Sequence, residues 1–303
     1  MQGRREWLVG QCKITRIEEL MGPLFEAKTF FPDYDRKAFD RHADWMFPHH
    51  FDPDTEKLVA SMHSWLIQTP EYNILVDTCI GNDKDRMPYK DWHQMQSPWL
   101  TRLLGTGVMP EEIDFVMCTH LHVDHVGWNT RLVDGSWKPT FSNAKYVFSK
   151  AEFEHWQTER NKNAGETFAE VNNKTFDDSV LPILHLAEML DGPGDIIENL
   201  LRINPAPGHT PGSITIELSS GKDAALFTGD ILHHPIQVYE PHWNSAFCEL
   251  PDQARDTRKK VLEHCSDKGC LMMPAHFGPS HAGKVKRSGE HFSFEFSDLT
   301  HRS

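Results

Sequence analysis

A dense cluster of histidines and one aspartate, in the segment THLHVDHVGW, constrains this chain more than any other feature of its sequence. It places His120, His122, Asp124 and His125 within six residues, directly after the apolar segment FVMC at residues 115–118. Because an extended backbone sends alternate side chains to one side, a strand ending here aims the first three the same way. Imidazole and carboxylate groups that converge in this manner suit metal binding. By chance, HxHxDH would arise in such a chain on the order of half a percent of the time.

Three further residues of the same types stand at the ends of predicted strands. His209 lies in the turn PAPGHTPGS, Asp230 ends ALFTGD, and His276 ends LMMPAH. Ligands and catalytic groups gather where strands finish and loops begin, so distant segments can meet at one rim of a sheet. The four residues of the first cluster are already enough to divide between two ions, and these three supply the ligand count that the cluster leaves short.

The composition agrees with metal chemistry and argues against a nucleic-acid partner. Nineteen histidines are a high count for 303 residues. The formal net charge of −13, from 44 acidic and 31 basic residues, repels a polyanion, and no run of Lys and Arg overrides it. We therefore expect a small-molecule substrate and no nucleic acid.

The cellular location is predicted from what the chain lacks. The first twenty residues carry no apolar stretch with a cleavage site behind it, and the longest apolar runs are far short of a membrane span. Six cysteines form no CxxC pair, which favours reduced core thiols. The sequence predicts a cytoplasmic protein without a membrane partner.

Strands and helices alternate along the chain from residue 58 onward. The predicted strands are LVASMHSWLIQT, YNILVDTCIG, FVMC, AKYVFS, LLRINPAPG, SITIELSS, AALFTGD and CLMMPAH. The predicted helices are DWHQMQSPWLTRLLGTG, KAEFEHWQTER and PDQARDTRKKVLEHC, and the polar stretch NKNAGETFAEVNNKTFDD is predicted as a loop. This alternation indicates an α/β protein (α+β by some schemes), with a single domain over residues 1–303.

An irregular N-terminal arm is predicted at about residues 1–57. Its residues 24–55 are dense in Phe, Trp, His, Pro and Asp and show no steady period. Those aromatic side chains would line a substrate pocket, form a homodimer contact, or pack over the edge of the domain's own core. The sequence leaves these three alternatives open.

The motifs THLHVDHVGW, PGHTPGS, FTGD and PAH, in this order, resemble the signature of the metallo-β-lactamase fold superfamily over residues 58–285. The resemblance implies a four-layered αβ/βα sandwich with a dinuclear metal site at one edge of the paired sheets. Carried over by motif, one ion would be held by His120, His122 and His209. The other would be held by Asp124, His125 and His276, with Asp230 as the bridge.

Two residues near the motifs have implied roles beside a structural alternative. The resemblance makes Asp77, at the end of ILVDTCIG, the aspartate that orients a metal ligand; otherwise it is a turn residue before Gly81. Homoserine-lactone members often place Tyr three residues after the bridging Asp, where this chain has His233. A histidine there would act as an electrophile or proton donor towards the substrate oxygen, as in phosphotriesterase-like members, or would pack beside His234 and Pro235.

Two cations a few ångströms apart would lower the pKa of a bridging water and polarise the oxygen of the bond being attacked. Zn²⁺ is the first choice of metal, with Mn, Fe or Co as alternatives. No Ser or Cys nucleophile is then needed. Asp124, as ligand and neighbour of that water, would accept and return its proton.

The predicted function is a dinuclear metal-dependent hydrolase in which the bridging hydroxide attacks a cyclic ester, as in lactonases, or a related small ester. Organophosphate triesters and β-lactams are the alternative substrates, because hydroxide attack serves them all. A glyoxalase II-like thioesterase is a further alternative, although only about 27 residues follow His276 where that family adds a basic region. An RNA-processing nuclease ranks last because the chain is acidic.

Overall fold

The computed structural model describes residues 6–160 and 168–297, which form two compact units. The first unit comprises residues 6–10, 21–61 and 195–297. The second comprises residues 11–20, 62–160 and 168–194. Each unit has its own apolar core, and the single domain over residues 1–303 stays a prediction.

Strands dominate the described chain, and short helices separate them. The strands are β1 (Glu6–Val9), β2 (Cys12–Glu26), β3 (Phe51–Asp52), β4 (Lys57–Gln68), β5 (Asn73–Val76), β6 (Phe115–Met117), β7 (Thr130–Val133), β8 (Ser136–Pro139), β9 (Lys145–Ser149), β10 (Ala187–Leu190), β11 (Gly194–Ile197), β12 (Leu201–Pro205), β13 (Ile214–Ser220), β14 (Asp223–Gly229), β15 (Leu271–Pro274), β16 (Gly283–Ser288) and β17 (His291–Phe296). The helices are α1 (Ala27–Phe30), α2 (Arg36–Asp40), α3 (Ala43–Met46), α4 (Trp99–Leu104), α5 (Lys150–Glu159), α6 (Phe168–Thr175), α7 (Ile236–Tyr239) and α8 (Pro251–Lys268).

The sheet of the second unit runs in the order β2-β4-β5-β6-β9-β10. The end of β4 pairs antiparallel with β5, and β5, β6, β9 and β10 run parallel. Val76 of β5 lies opposite Met117 of β6. Because these two parallel strands end side by side, Asp77 and the histidine cluster emerge at the same edge of the sheet.

The sheet of the first unit follows the chain, in the order β11-β12-β13-β14-β15-β16-β17. In this sheet β14 pairs parallel with β15. Helix α8 connects these two strands and packs Leu262 and Cys265 against them. The register shifts between Phe227 and Gly229, just before Asp230. Asp230 and His276 therefore leave neighbouring parallel strands at the same edge.

Both units thus combine a mixed sheet with covering helices, which confirms the predicted α/β class. In the second unit α4 and α5 bury Trp99 and Trp156 in the same core as Val116 and Tyr146. These are the layers of helix and sheet from which the metallo-β-lactamase sandwich is built. No helix among residues 6–160 and 168–297 is long and apolar enough to cross a membrane. All six cysteines lie among the described residues, are buried, and form no disulfide there.

The irregular arm predicted for about residues 1–57 is wrong for residues 6–26, which form β1 and β2. Polar residues at buried positions of β2 hide the alternation of a strand from the sequence. Arg16 is buried and pairs with Glu18 at 2.8 Å. Glu19 is buried and accepts hydrogen bonds from the Ile80 N–H at 2.7 Å and the Trp128 indole at 2.7 Å.

From residue 27 the arm forms three short helices whose aromatic side chains pack within the first unit. Phe30, Phe31 and Phe39 share a buried cluster with Ile236 and Trp243. Of the three alternatives that the sequence leaves open, packing against the chain's own core is therefore realised. A homodimer through the arm stays a prediction.

Two other predicted elements need correction. The loop predicted over residues 161–178 contains helix α6, although residues 161–167 lie outside the described part. The helix predicted from Asp91 begins only at Trp99, directly after Pro98. A proline fits the start of a helix but interrupts one that has already begun, which explains the later start.

A buried histidine ties the arm to the loop after β14. The ring of His234 contacts the His50 carbonyl through Nε2 at 2.7 Å and accepts from the Ile236 N–H at Nδ1, at 3.2 Å. A neutral ring with its proton on Nε2 satisfies both contacts. Burial lowers the pKa of His234 to about 4, although the hydrogen bond to His50 opposes this shift.

We predict that His234 makes the fold sensitive to acid. Its folded pKa of about 4 lies below the ordinary value of 6.5, so stability is complete above pH 6.5 and is lost as the pH falls towards 4. Between pH 7 and pH 5 this residue should cost about 2 kcal/mol of unfolding free energy. His234→Gln cannot titrate, so its unfolding free energy should fall by about 2 kcal/mol less than that of wild type between pH 7 and pH 5. The measurement is urea denaturation at both pH values with a chelator present throughout. An equal loss of unfolding free energy in both proteins would contradict the prediction.

Candidate metal centre

The half of the site in the second unit is built around the carboxylate of Asp77. It accepts a hydrogen bond from the Thr119 N–H at 2.8 Å and another from the Thr119 hydroxyl at 2.8 Å. His125 Nδ1 lies 2.8 Å from Oδ2, the same carboxylate oxygen that accepts from the Thr119 hydroxyl. With its Nδ1 proton held there, His125 keeps Nε2 as a metal-ligating atom. The geometry is the one that the predicted orienting role of Asp77 requires.

Backbone contacts fix the turn that carries His125. The Thr78 N–H donates to the His125 carbonyl at 2.6 Å, and the Gly127 N–H donates to the Cys79 carbonyl at 2.7 Å. A Cβ atom on Gly127 would lie 1.8 Å from the Ile80 carbonyl oxygen. Only glycine allows this approach, which is a physical reason for the glycine that follows the histidine cluster.

His120 and His122 present ring nitrogens to each other. Nε2 of His120 lies 3.0 Å from Nδ1 of His122, and both rings are buried. His120 Nδ1 lies 3.2 Å from the Thr119 hydroxyl oxygen. Because that hydroxyl already donates its proton to Asp77, its oxygen accepts from His120, and the lone pair of His120 Nε2 faces His122. Two imidazoles in this arrangement suit a shared cation.

Helix α5 supports these two histidines with residues that the sequence analysis did not single out. Glu152 is fully buried and accepts from the Leu121 N–H at 3.0 Å and the Trp156 indole at 2.6 Å. The Trp156 ring packs edge-on against His122, with ring centroids 5.3 Å apart. The sequence KAEFEHWQTER carries no signal that distinguishes Glu152 from Glu154 and Glu159, because its burial is visible only in the fold.

Asp124 has the most open side chain among the predicted ligands of this unit. Its carboxylate retains 12% of its exposure, against 1% for the ring of His125, and it lies 3.7 Å from His125 Nε2. An acid that exchanges protons with a reacting water must be reachable from solvent or substrate, and Asp124 meets that requirement.

The half of the site in the first unit is centred on the buried carboxylate of Asp230. His276 Nε2 lies 2.9 Å from its Oδ1 atom. On the other side, Oδ2 is 3.3 Å from His209 Nε2 and 3.2 Å from His233 Nε2. The two oxygens of Asp230 therefore face different predicted ligands, and its role as the bridge stays a prediction.

Neighbouring groups fix the rings of His276 and His209. His276 Nδ1 lies 3.2 Å from the Ser61 carbonyl oxygen, so its proton is held there and Nε2 is left to ligate. His209 Nδ1 lies 4.0 Å from the thiol of Cys248. Ser61 and Cys248 lie beside predicted ligands although neither residue belongs to a motif or carries a spacing signal in the sequence.

His233 and His234 are adjacent in sequence but face different surroundings. His234 contacts the arm, whereas the ring of His233 stacks parallel to His276 at 5.8 Å and meets Phe30 edge-on at 5.3 Å. Burial lowers the pKa of His233, and the nearby Asp230 carboxylate opposes this. The Gln237 side chain accepts from the His233 N–H at 2.7 Å and fixes the turn. His233 therefore sits beside the predicted bridge.

The donor atoms in each unit fit divalent metal ions. In the second unit His120 pairs with His122, and Asp124 with His125, with ligand atoms within 4.8 Å of each other. In the first unit His209 and Asp230 approach within the same limit. Buried imidazole and carboxylate donors favour ions of intermediate softness such as Zn²⁺. Each unit thus brings its own share of the sequence-predicted ligands together.

Comparison with solved structures identifies the fold. The hydrolase AbOPH in the beta lactamase superfamily is 21% identical, with a TM-score of 0.80 and 99% of both chains covered. AidC, a dizinc quorum-quenching lactonase in complex with a product, is 19% identical, with a TM-score of 0.78 and 99% of both chains covered. An N-acyl homoserine lactone hydrolase with its product bound at the catalytic metal center is 17% identical, with a TM-score of 0.62 over 89% of this chain and 94% of that one.

A family model supplies the assignment at the level of sequence. The model described as the metallo-beta-lactamase superfamily matches residues 61–269, which is more than half of the chain. The match spans the histidine cluster, the His209 turn and Asp230. The chain belongs to the metallo-beta-lactamase superfamily, as a metal-dependent hydrolase.

Proposed function

We propose that this chain is a dinuclear metal-dependent lactonase. It would open a cyclic ester by adding water across the single bond between the carbonyl carbon and the ring oxygen. The proposal depends on one observation above all: Asp230 directs one carboxylate oxygen towards His276 and the other towards His209. A carboxylate that serves two ligand groups at once supports a pair of ions, not a single one.

The proposed ligand sets follow from the family motifs and the geometry within each unit. One ion would be held by His120, His122 and His209, and the other by Asp124, His125 and His276, with Asp230 shared. Zn²⁺ suits this donor set best, with Mn, Fe or Co as alternatives. When bound, the ions supply Lewis acidity that lowers the pKa of water and polarises the substrate carbonyl.

The chain's own residues would move the protons. Asp124 would take a proton from the attacking water as the new carbon–oxygen bond forms. It would return that proton to the ring oxygen as the ester bond breaks, so that a hydroxy acid leaves. His233 would donate a hydrogen bond to the substrate oxygen on which negative charge develops.

Lactones are the preferred substrate class for two reasons: similar solved structures are lactonases, and attack by a metal-activated water suits an ester carbonyl. Two of the similar structures are lactonases by name, one of them with two zinc ions. Phosphotriesters are the second candidate, because His233 stands where homoserine lactonases often have Tyr. The net charge of −13 supports a small-molecule substrate over nucleic acid.

A substrate panel tests this proposal directly. Purified protein, loaded with metal and analysed for metal content, would be assayed on lactones, aryl esters, phosphotriesters, β-lactams and S-lactoylglutathione. We expect two metals per chain, highest kcat/KM on lactones, and loss of that activity on chelation with recovery when Zn²⁺ is restored. Activity confined to thioesters or phosphodiesters would overturn the lactonase proposal, and fewer than two metals after full reconstitution would overturn the paired site.

Asp230→Asn tests the bridge. The amide nitrogen cannot ligate, so only one of the two ions would keep an oxygen ligand from this side chain, the amide oxygen. We expect the metal content to fall below two per chain and kcat/KM to fall roughly 100-fold or more, beyond the 10–100-fold typical of residues outside the ligand set. An unchanged rate with two metals bound would remove Asp230 from the site.

His233→Phe tests the substrate-facing role of His233. Phenylalanine keeps the ring that packs against Phe30 and His276 but has no N–H group. We expect kcat to fall roughly 100-fold or more, with two metals still bound. His234→Gln is the matched control, since that ring faces His50, and its kcat should stay within about twofold of wild type. Equal kcat values for both variants would assign His233 to packing alone.

A further inference from the structure

One face of helix α8 contacts the two chain segments that carry His209 and Asp230. The face consists of the buried Ala254 and Arg258 and the half-buried Thr257, which lie within about one turn of the helix. With His209, Asp230 and Ile231 these residues surround a gap too small to hold water. The helix is therefore packed directly behind the two predicted ligands.

The first two residues of this face contact the turn that carries His209. The Thr257 hydroxyl donates to the Pro207 carbonyl at 2.6 Å. Gly208 has φ +145°, and a Cβ atom there would lie 2.4 Å from the Ala254 Cα. The helix and the turn are thus in backbone contact, and any shift of α8 would move His209.

The third residue, Arg258, holds the segment that follows Asp230. Its guanidinium donates to the Ile231 carbonyl at 2.8 Å, the Pro241 carbonyl at 2.8 Å and the Asn244 side-chain oxygen at 3.1 Å. These three acceptors span the loop that contains His233. Arg258 is fully buried, and burial lowers its pKa to about 10.

An arginine at this buried position indicates that the side chain holds its three acceptors in fixed directions. A buried guanidinium whose hydrogen-bond acceptors are neutral oxygens is costly to desolvate, and an apolar side chain would fill the space without that cost. What the apolar side chain lacks is a planar fork of donors that can hold three acceptors in fixed directions.

We propose that Arg258 is a positioning residue that, together with Thr257, sets the spacing between His209 and Asp230 and so the affinity for metal. This inference rests on the proposed function, in which those two residues share an ion. Arg258 acts through the Ile231 carbonyl, next in sequence to Asp230, and Thr257 acts through Pro207, two residues before His209.

The test compares metal affinity in variants of the full-length protein. Arg258→Met and Arg258→Lys would be titrated with Zn²⁺ against a competing chelator, and Co²⁺-loaded samples would be compared by their visible absorption. Lys260→Met is the matched control, because it removes one positive charge from an exposed position on the same helix. Folding of each variant would be verified by circular dichroism at the temperature of the titration.

We expect Arg258→Met to bind Zn²⁺ roughly 10–100-fold more weakly than wild type, with an altered Co²⁺ spectrum, while Lys260→Met is unchanged. Arg258→Lys should stay at least roughly threefold weaker than wild type, because an ammonium cannot replace the fork. Wild-type affinity in folded Arg258→Met would overturn the proposal, as would full recovery with lysine, which would assign the effect to charge alone.

Thr257→Val provides an independent variant if Arg258→Met does not fold. Valine keeps the shape of threonine but loses the bond to Pro207, and we expect weaker Zn²⁺ binding without loss of fold. Unchanged affinity in this variant would overturn the role of the α8 face. Asp230→Asn separates the two proposals: if it binds two ions normally, the proposed site fails, and if it loses them while the α8 variants do not, only the positioning role fails.

Discussion

Three histidine rings approach the buried carboxylate of Asp230 at 2.9–3.3 Å, and much of the first unit is arranged around that contact. Burying one carboxylate among several imidazoles is costly unless hydrogen bonds or a cation compensate. The parallel pair β14–β15 brings Asp230 and His276 to one edge, and α8 fixes the turns on either side. A divalent ion bound at these preorganised donors would compensate for the cost of burying the carboxylate.

The second unit reaches a comparable arrangement by different means. There the ligands follow one strand end within six residues, so local sequence does most of the positioning, and Asp77 adds the remaining constraint by holding His125. The backbone contact between Gly127 and the turn after Asp77 fixes this geometry with little help from side chains. The two units therefore differ in how far apart in sequence their ligands lie, and in how much packing is needed to place them.

The N-terminal arm connects stability to the site. Its aromatic rings complete a buried cluster with the loop after β14, and Phe30 reaches His233. The two neighbouring histidines in that loop have different contacts. His234 is held by the His50 carbonyl of the arm, whereas His233 faces Asp230. Sequence periodicity could not assign these roles, since both residues share the segment LHHP and differ only in the direction of their side chains.

The sequence by itself determined the ligand types, their motifs, the α/β class and most strands from β4 to β15, because these depend on local spacing and on alternation of apolar residues. It predicted β2 as part of an irregular arm, because the buried Glu19 meets its partners Ile80 and Trp128 only in the folded chain. Tertiary structure alone decided that Glu152 supports Leu121, that Cys248 lies beside His209 and that Arg258 holds the Ile231 carbonyl. Those contacts join residues 27 to 39 positions apart, and no local pattern specifies a contact that only the packing of a helix against a distant turn creates.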